Sequence, residues 1–250
     1  MKNRNIYLLT CLALAFSCSD SATDEFEEVN GDTEEKLIKS ISVISMQDSY
    51  ENQTISFSYN NEKKLNSVSN GEESSLFIYG DDNLTNVTGG GDQLNIEELY
   101  QSPYDAFETG QVQEYDNNGN PYKISFINKI YNEDTYEYEN VDYTAEISYD
   151  DTPNPFFYTL KAAGIIDVLD GVELNFSLPQ QAANIIKART LLPLNNPSKI
   201  TYKNELGNIV YDINVEYTYD EQEYPISATV TAISLEVNET GTYSVVYQYL

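Results

Sequence analysis

Protein chemistry draws on a short menu of side chains, and this chain of 250 residues omits much of it. It has no histidine and only two cysteines, Cys11 and Cys18. Without an imidazole there is no Ser-His-Asp or Cys-His pair and no His-ligated zinc. Without a thiol beyond Cys18 there is no thiolate metal site in the body of the chain. Gly89-Gly90-Gly91 runs into Asp92 and lacks the Lys-Ser/Thr of a phosphate-cradling loop, so it reads as a linker. Paired carboxylates remain, because 41 Asp and Glu residues make some close pairs inevitable. A carboxylate-dependent glycan hydrolase would need two of them across a cleft, usually beside aromatic platforms. There is no Trp, and no spacing marks which acids would serve; a solvated acidic face is the simpler account. Asp116-Asn117-Asn118-Gly119-Asn120 has the composition of a calcium loop, but an EF-hand needs Gly at position six and Glu at twelve. Here Gly is fourth and Ile127 is twelfth, which suits a hairpin turn. The expectation is a non-catalytic protein with no cofactor and no metal.

The 22 tyrosines are the remaining chemical resource, each an apolar ring with a polar tip suited to sugars and protein partners. Most fall on the core phase of strand-like segments and are expected to be structural. Tyr100, Tyr104 and Phe107 differ: they lie in an irregular segment after the triple glycine, with Pro103 to stiffen it. They are the candidate ligand-binding residues, for a glycan or a protein; the competing role is a cover for a sheet edge.

The elements that would position such residues begin after an export signal. Lys2 and Arg4 precede an apolar run from Ile6 to Phe16, interrupted only by Thr10 and far short of the ~20 residues that span a bilayer. The run ends in Ala15-Phe16-Ser17-Cys18, which resembles the lipobox of bacterial lipoproteins. The resemblance implies diacylglyceryl attachment to the Cys18 thiol and removal of residues 1–17. Ala13-Leu14-Ala15 offers ordinary signal peptidase a second place to cut. Cleavage before Cys18 would leave that cysteine alone, with no partner for a disulfide. Residues 19–35 carry eight acids and no base, so residues 18–35 are expected to be a disordered tether. Cys18-Ser19-Asp20 with Asp24-Glu25-Phe26-Glu27-Glu28 resembles the acidic export tag of Bacteroidetes-type surface lipoproteins. That implies a lipid-anchored place on the outer membrane, facing the exterior, with the periplasmic face as the alternative. Loss of Lys2 and Arg4 moves the formal charge from −28 to −30. Such a surface repels phosphate backbones and anionic headgroups, so no nucleic-acid partner is expected, and lipid at Cys18 would be the contact with a membrane.

Residues 36–250 suit one domain. A phrase recurs along them: an alternating strand ending in Tyr, a turn of Asn, Asp and Gly, then a second short strand. It appears around Tyr59, Tyr79, Tyr115, Tyr202 and Tyr219. Ile209, Tyr211, Ile213, Val215, Tyr217 and Tyr219 alternate with Asp212, Asn214, Glu216 and Thr218, as in a sheet covered on one face. Val141 to Tyr149 repeats the pattern, and Tyr136 and Tyr138 lie on the opposite phase, which a bulge or turn near Glu139-Asn140 would reconcile. Tyr217-Thr218-Tyr219-Asp220 and Tyr115-Asp116 with Gly119 resemble YD repeats. The irregular spacing, 20 then 36 residues between successive Tyr59, Tyr79 and Tyr115, does not suit a regular solenoid. The whole resembles Bacteroidetes-type lipoproteins with a few such hairpins, a likeness that implies fold and location but no activity. Pro155 to Leu169 has helical spacing after Asn154, and Pro179 to Arg189 reads as a second helix capped by Ser177, with Leu191 to Pro197 a loop. The fold expected is mainly β: one large twisted antiparallel sheet of successive hairpins, with two short helices from an insertion near 155–190 covering one face.

The lipidation reading has a direct test. Cys18→Ser should abolish fatty-acid labelling of the expressed chain and move it from the membrane to the soluble fraction; a mature chain starting at Phe16 would overturn it.

Overall fold

Alternation of period two produces strands only if something covers the apolar face, and the computed structural model shows both. It describes residues 21–89, 92–95, 111–132, 135–175 and 185–250. The strands are β1 (Ile38–Ser45), β2 (Gln53–Tyr59), β3 (Leu65–Ser69), β4 (Ser74–Gly80), β5 (Asn83–Gly89) and β6 (Asp92–Asn95), then β7 (Gln111–Tyr115), β8 (Pro121–Asn132) and β9 (Glu137–Pro153). After helices α2 (Phe156–Ala162) and α3 (Ile165–Gly171) come β10 (Glu173–Asn175), β11 (Ile185–Lys187), β12 (Asn195–Asn204), β13 (Ile209–Tyr219), β14 (Pro225–Ser234) and β15 (Glu239–Tyr249). Thirteen of these form one open antiparallel sheet in the order β6-β5-β4-β3-β2-β1-β15-β14-β13-β12-β9-β8-β7; β10 and β11 pair separately. The mainly-β sheet of successive hairpins is therefore present, and the chain folds as two meanders joined where β1 meets β15.

The turns show why Asn, Asp and Gly recur. At Asn60, Asp116, Asn204 and Asp220 the side-chain Oδ1 accepts from the backbone N–H two and four residues on, at 2.8–3.1 Å. The backbone N–H of each donates to the carbonyl four residues later. The residue before that carbonyl takes a left-handed backbone: Lys63, Gly119, Gly207 and Glu223, with φ between 62° and 83°. One short side chain thus satisfies two donors that a reversing chain would otherwise leave unpaired. The Asp116 carboxylate is spent this way, and its second oxygen accepts from Asn120, so this segment is a turn.

The register puts Phe57, Phe77, Val87, Val215, Tyr217, Val230, Val245 and Tyr247 on one face. Helix α2 sets Phe156 against part of that face, among Ile38, Ile41, Ala228 and Val245. Helix α3 packs Val168 with Leu84, Val172, Leu174 and Ala188.

Five local expectations are corrected. The acidic segment is not a free tether throughout: Ala22–Asn30 is a helix, α1, with a capping box between Ser21 and Asp24. Two physical reasons outweigh the charge. Asp24 and Glu25 sit in the first turn, where the helix dipole favours anions, and Ala22 and Phe26 share a buried face. Phe26 is fully buried and stacks on Phe157, with ring centroids 3.9 Å apart and planes 7° from parallel. The helical run after Pro155 breaks in two at Gly164, whose φ of 75° ends α2 and whose missing Cβ would stand 3.2 Å from Leu84 Cβ. Of the helix expected over 179–189, the described part is β11 and a 3-10 turn over Ala188–Leu191; Ile185 and Ile186 pair with Asn175 and Leu174 instead. β12 already begins at Asn195, inside the expected loop, because Asn195 pairs with Pro153. The bulge near Glu139 is also absent: β8 and β9 keep one register from Lys123 to Asn132, leaving Tyr138 on the opposite face from Tyr143.

Phe26→Ala should lower unfolding free energy by about 3–5 kcal/mol, whereas Glu27→Ala on the exposed side should change it by less than about 0.5 kcal/mol. Urea unfolding of both variants reads this; equal midpoints would mean that α1 does not dock.

Candidate functional site

The tyrosines divide by what their hydroxyls do. Tyr59 donates to the Ile38 carbonyl at 2.7 Å, Tyr79 to Leu65 at 2.6 Å, Tyr149 to Pro121 at 2.9 Å, Tyr217 to Pro197 at 3.1 Å and Tyr249 to Pro225 at 2.8 Å. In each case the tyrosine is on the returning strand of a hairpin and the carbonyl is at or near the start of the outgoing one. The five bonds close the open ends of β1/β2, β3/β4, β8/β9, β12/β13 and β14/β15. Tyr219 donates to Asp150. Burial raises the pKa of these phenols, to about 12 for Tyr79 and beyond the ordinary range for Tyr217 and Tyr249, so all stay neutral donors at physiological pH.

A second group has no such bond. Tyr143, Tyr202 and Tyr211 stand on the same face, and Tyr211 lies four residues along β13 from Val215, which packs in the cluster with Phe156 of α2. They are half-buried, and no described residue bonds their hydroxyls. Their rings meet around Phe126: Phe126 and Tyr143 lie 5.7 Å apart and 17° from parallel, Tyr202 meets Phe126 edge-on at 5.9 Å, and Tyr211 meets Tyr202 at 6.0 Å. With Val210 and Glu236 they line an open depression of about 270 Å³. A second, more polar depression of about 260 Å³, with Gln47, Glu51, Ser234 and Tyr243 on its walls, shares Tyr211 with the first. The expectation that tyrosines on the core phase of the strands are structural is therefore corrected for these three: the helices cover only part of the sheet face. The three residues singled out in the sequence, Tyr100, Tyr104 and Phe107, lie outside the described residues, as does Cys18.

Other clusters are occupied internally. A cavity of about 780 Å³ between α1, the turn after Tyr115 and the Ala188–Leu191 turn is lined by Arg189. Its guanidinium makes a bidentate pair with Glu25, at 2.7 and 2.8 Å, and donates through Nε to Asp170 at 3.1 Å. Its donors are used in holding α1 to α3. Asn120, Asn195 and Asn196 are buried but bond one another's neighbours: Asn120 Oδ1 accepts from the Leu194 and Asn195 N–H, and Asn195 Nδ2 donates to Asn30. No group of three or more Asp, Glu, Cys or His that could hold a metal ion occurs among the described residues. Asp24, Asp82, Glu114, Asp170, Asp212 and Asp220 are each held below the usual carboxylate range. At Asp170, Asp212 and Asp220 burial acts upward, but bonds from Lys187 and Arg189, from Thr201 and Lys199, and from Lys36 outweigh it.

No protein-family model matches the sequence, and no curated protein matches it. Solved structures show a distant similarity. A porin-like protein from Bacteroides uniformis aligns over 87% of this chain and 99% of its own, at 11% identity and a TM-score of 0.34. An outer membrane lipoprotein-sorting protein domain from Vibrio parahaemolyticus aligns over 91% and 90%, at 9% identity and 0.29. A LolA superfamily protein from Nitrosomonas europaea aligns over 90% and 89%, at 8% and 0.25.

The two groups of tyrosines predict opposite responses to loss of one oxygen. Tyr217→Phe and Tyr249→Phe should each cost about 1 kcal/mol of unfolding free energy, because a buried carbonyl loses its donor. Tyr143→Phe and Tyr202→Phe should stay within about 0.5 kcal/mol of the parent. Chemical denaturation of the four variants checks the division.

Proposed function

We propose that the protein is a non-catalytic binding module of the cell envelope, anchored through lipid at Cys18 on the outer membrane and facing outward, and that its ligand is a neutral oligosaccharide. One observation carries the ligand: three half-buried phenols with unbonded hydroxyls gather with Phe126 and Val210 into an aromatic wall that has Glu236 at its side. A sugar ring presents an apolar face edged by hydroxyls, so it fills both demands at once, stacking on a ring and bonding a phenol. Glu236 on one depression and Glu51 on the other disfavour an anionic ligand, as does the formal charge of −28. The two depressions meeting at Tyr211 suit a ligand of more than one ring.

The anchor and location rest on the lipobox-like Ala15-Phe16-Ser17-Cys18 and the acidic residues that follow it, and the resemblance to YD-repeat surface lipoproteins belongs with them. A hydrolase reading would call for a carboxyl with a raised pKa to act as general acid, and Asp24, Asp82, Glu114, Asp170, Asp212 and Asp220 are all displaced the other way.

Binding of the full chain to a panel of neutral glycans tests the reading. The triple variant Tyr143→Phe/Tyr202→Phe/Tyr211→Phe should keep its melting temperature and lose about 100-fold in affinity, from roughly 1 kcal/mol per hydrogen bond. Unchanged binding in that variant, with loss in Tyr100→Ala/Tyr104→Ala, would move the site to the segment after the triple glycine. Hydrolysis of any glycan on the panel would overturn the non-catalytic reading.

A further inference from the structure

The β8–β9 hairpin outruns the sheet that carries it. Ser125 is the last β8 residue paired to β7, through Gln111, and Tyr143 is the first β9 residue paired to β12, through Asn204. Beyond them Ile127↔Asp142 through Asn132↔Glu137 form a ladder with no third strand among the described residues. Six residues beyond the sheet make an arm of roughly 20 Å at a strand rise of ~3.4 Å. A two-stranded ribbon alone is marginal in water, yet this one exposes apolar rings. Tyr131 is 47%, Tyr138 71% and Tyr136 78% exposed, and Ile127 is 64% exposed. Tyr131 and Tyr138 are cross-strand partners whose rings meet edge-on at 5.3 Å, and Ile127 shares their face. None of these side chains contributes to the buried clusters of the domain.

The β9 edge from Glu137 to Asp142 has no strand partner on its outer side among the described residues. Natural edge strands are blunted by charged side chains, Pro or bulges; this stretch, Glu-Tyr-Glu-Asn-Val-Asp, is guarded by acids alone, which turn away most strands and admit a cationic one. From Phe126 to Tyr143 the chain holds five acids and one base, Lys129. We propose that this arm docks a partner protein by strand addition: an extended segment bearing Lys or Arg pairs with the β9 edge between Glu137 and Asp142. The acids select the cations, and the exposed tyrosine rings receive them by cation–π contact. A second copy of this chain would bring like charge to like, and anionic headgroups are repelled for the same reason. The arm is separate from the phenol-lined depression, so the proposal stands whether or not a glycan binds there.

The test uses the full chain, a synthetic peptide of alternating Lys and Thr, and the same peptide with a central Pro that cannot extend a sheet. At physiological ionic strength the Lys-Thr peptide should bind about tenfold tighter than its Pro counterpart, and protect the backbone amides of residues 137–142 from hydrogen exchange. Glu137→Lys/Asp142→Lys and Tyr131→Ser/Tyr138→Ser, both on exposed positions and with melting temperature checked, should each abolish that preference. Equal affinity for the two peptides, or protection spread over other strands, would show only a general acidic surface and overturn the proposal. So would a dimer of the unliganded chain that Glu137→Lys/Asp142→Lys dissociates, or binding to phosphatidylcholine vesicles that Tyr131→Ser/Tyr138→Ser removes.

Discussion

A hydrogen bond from a tyrosine hydroxyl to a carbonyl near the start of the neighbouring strand organises this fold. A hairpin is held at one end by its turn and at the other by nothing, so its open end frays. Here the returning strand carries a tyrosine whose ring lies along the apolar face and whose oxygen reaches back to the first strand. The bond occurs five times, at 2.6–3.1 Å. At roughly 1 kcal/mol each, the sum is a sizeable part of the ~5–15 kcal/mol by which a domain is stable. The Asn or Asp that soon follows turns the chain toward its next pairing, as at Tyr59-Asn60 and Tyr219-Asp220. The repeating unit is thus a closed hairpin followed by a side-chain-braced turn. Its length is free to vary, which explains why the tyrosines recur without a fixed period.

The helical layer depends on different forces. α1 is held by the Phe26–Phe157 stack, by the ion pairs of Arg189 and by an asparagine network running from Asn30 through Asn195 to Asn120. A buried amide network is stabilising only when its members are satisfied. Asn120 meets this by using its oxygen on two backbone N–H groups and its nitrogen on Asp116 and Asn195. Through it the end of α1, the turn after β7 and the starts of β12 are registered against each other. The helices consequently cover only part of the sheet face, and the aromatic wall around Phe126 is left open.

Much of this was legible in the residues. Strict alternation from Ile209 to Tyr219 and the Asn, Asp and Gly of the turns fixed strands and reversals, since both signals are local. α1 was not legible from charge, because eight acids in residues 19–35 have the composition of a solvated tether; its local signals are Ser21-x-x-Asp24 and the helix face shared by Ala22, Phe26 and Val29. Gly164 was the available sign that the run after Pro155 would break. Ile185-Ile186 looked helical because three residues are too few to show a period. The division of the tyrosines was not legible at all. Whether a phenol is bonded depends on a carbonyl up to 28 residues away and on where a helix stops, and neither is a property of the sequence around it.

The pairing of β1 with β15 has a kinetic side. Ile38 lies opposite Tyr249, and Leu250 donates its N–H to Leu37, so the seam at the middle of the sheet joins segments more than two hundred residues apart. Each meander can form from neighbouring hairpins, but the seam must close a loop of more than two hundred residues. Contacts so distant in sequence place a domain among slow folders. Until the seam forms, the outer edge of β1, with Ile41 and Val43, stays open to any passing strand. β1 therefore remains an open edge until β15, more than two hundred residues further along the chain, is in place to cover it, and that interval is the one in which strand-to-strand aggregation is most favoured.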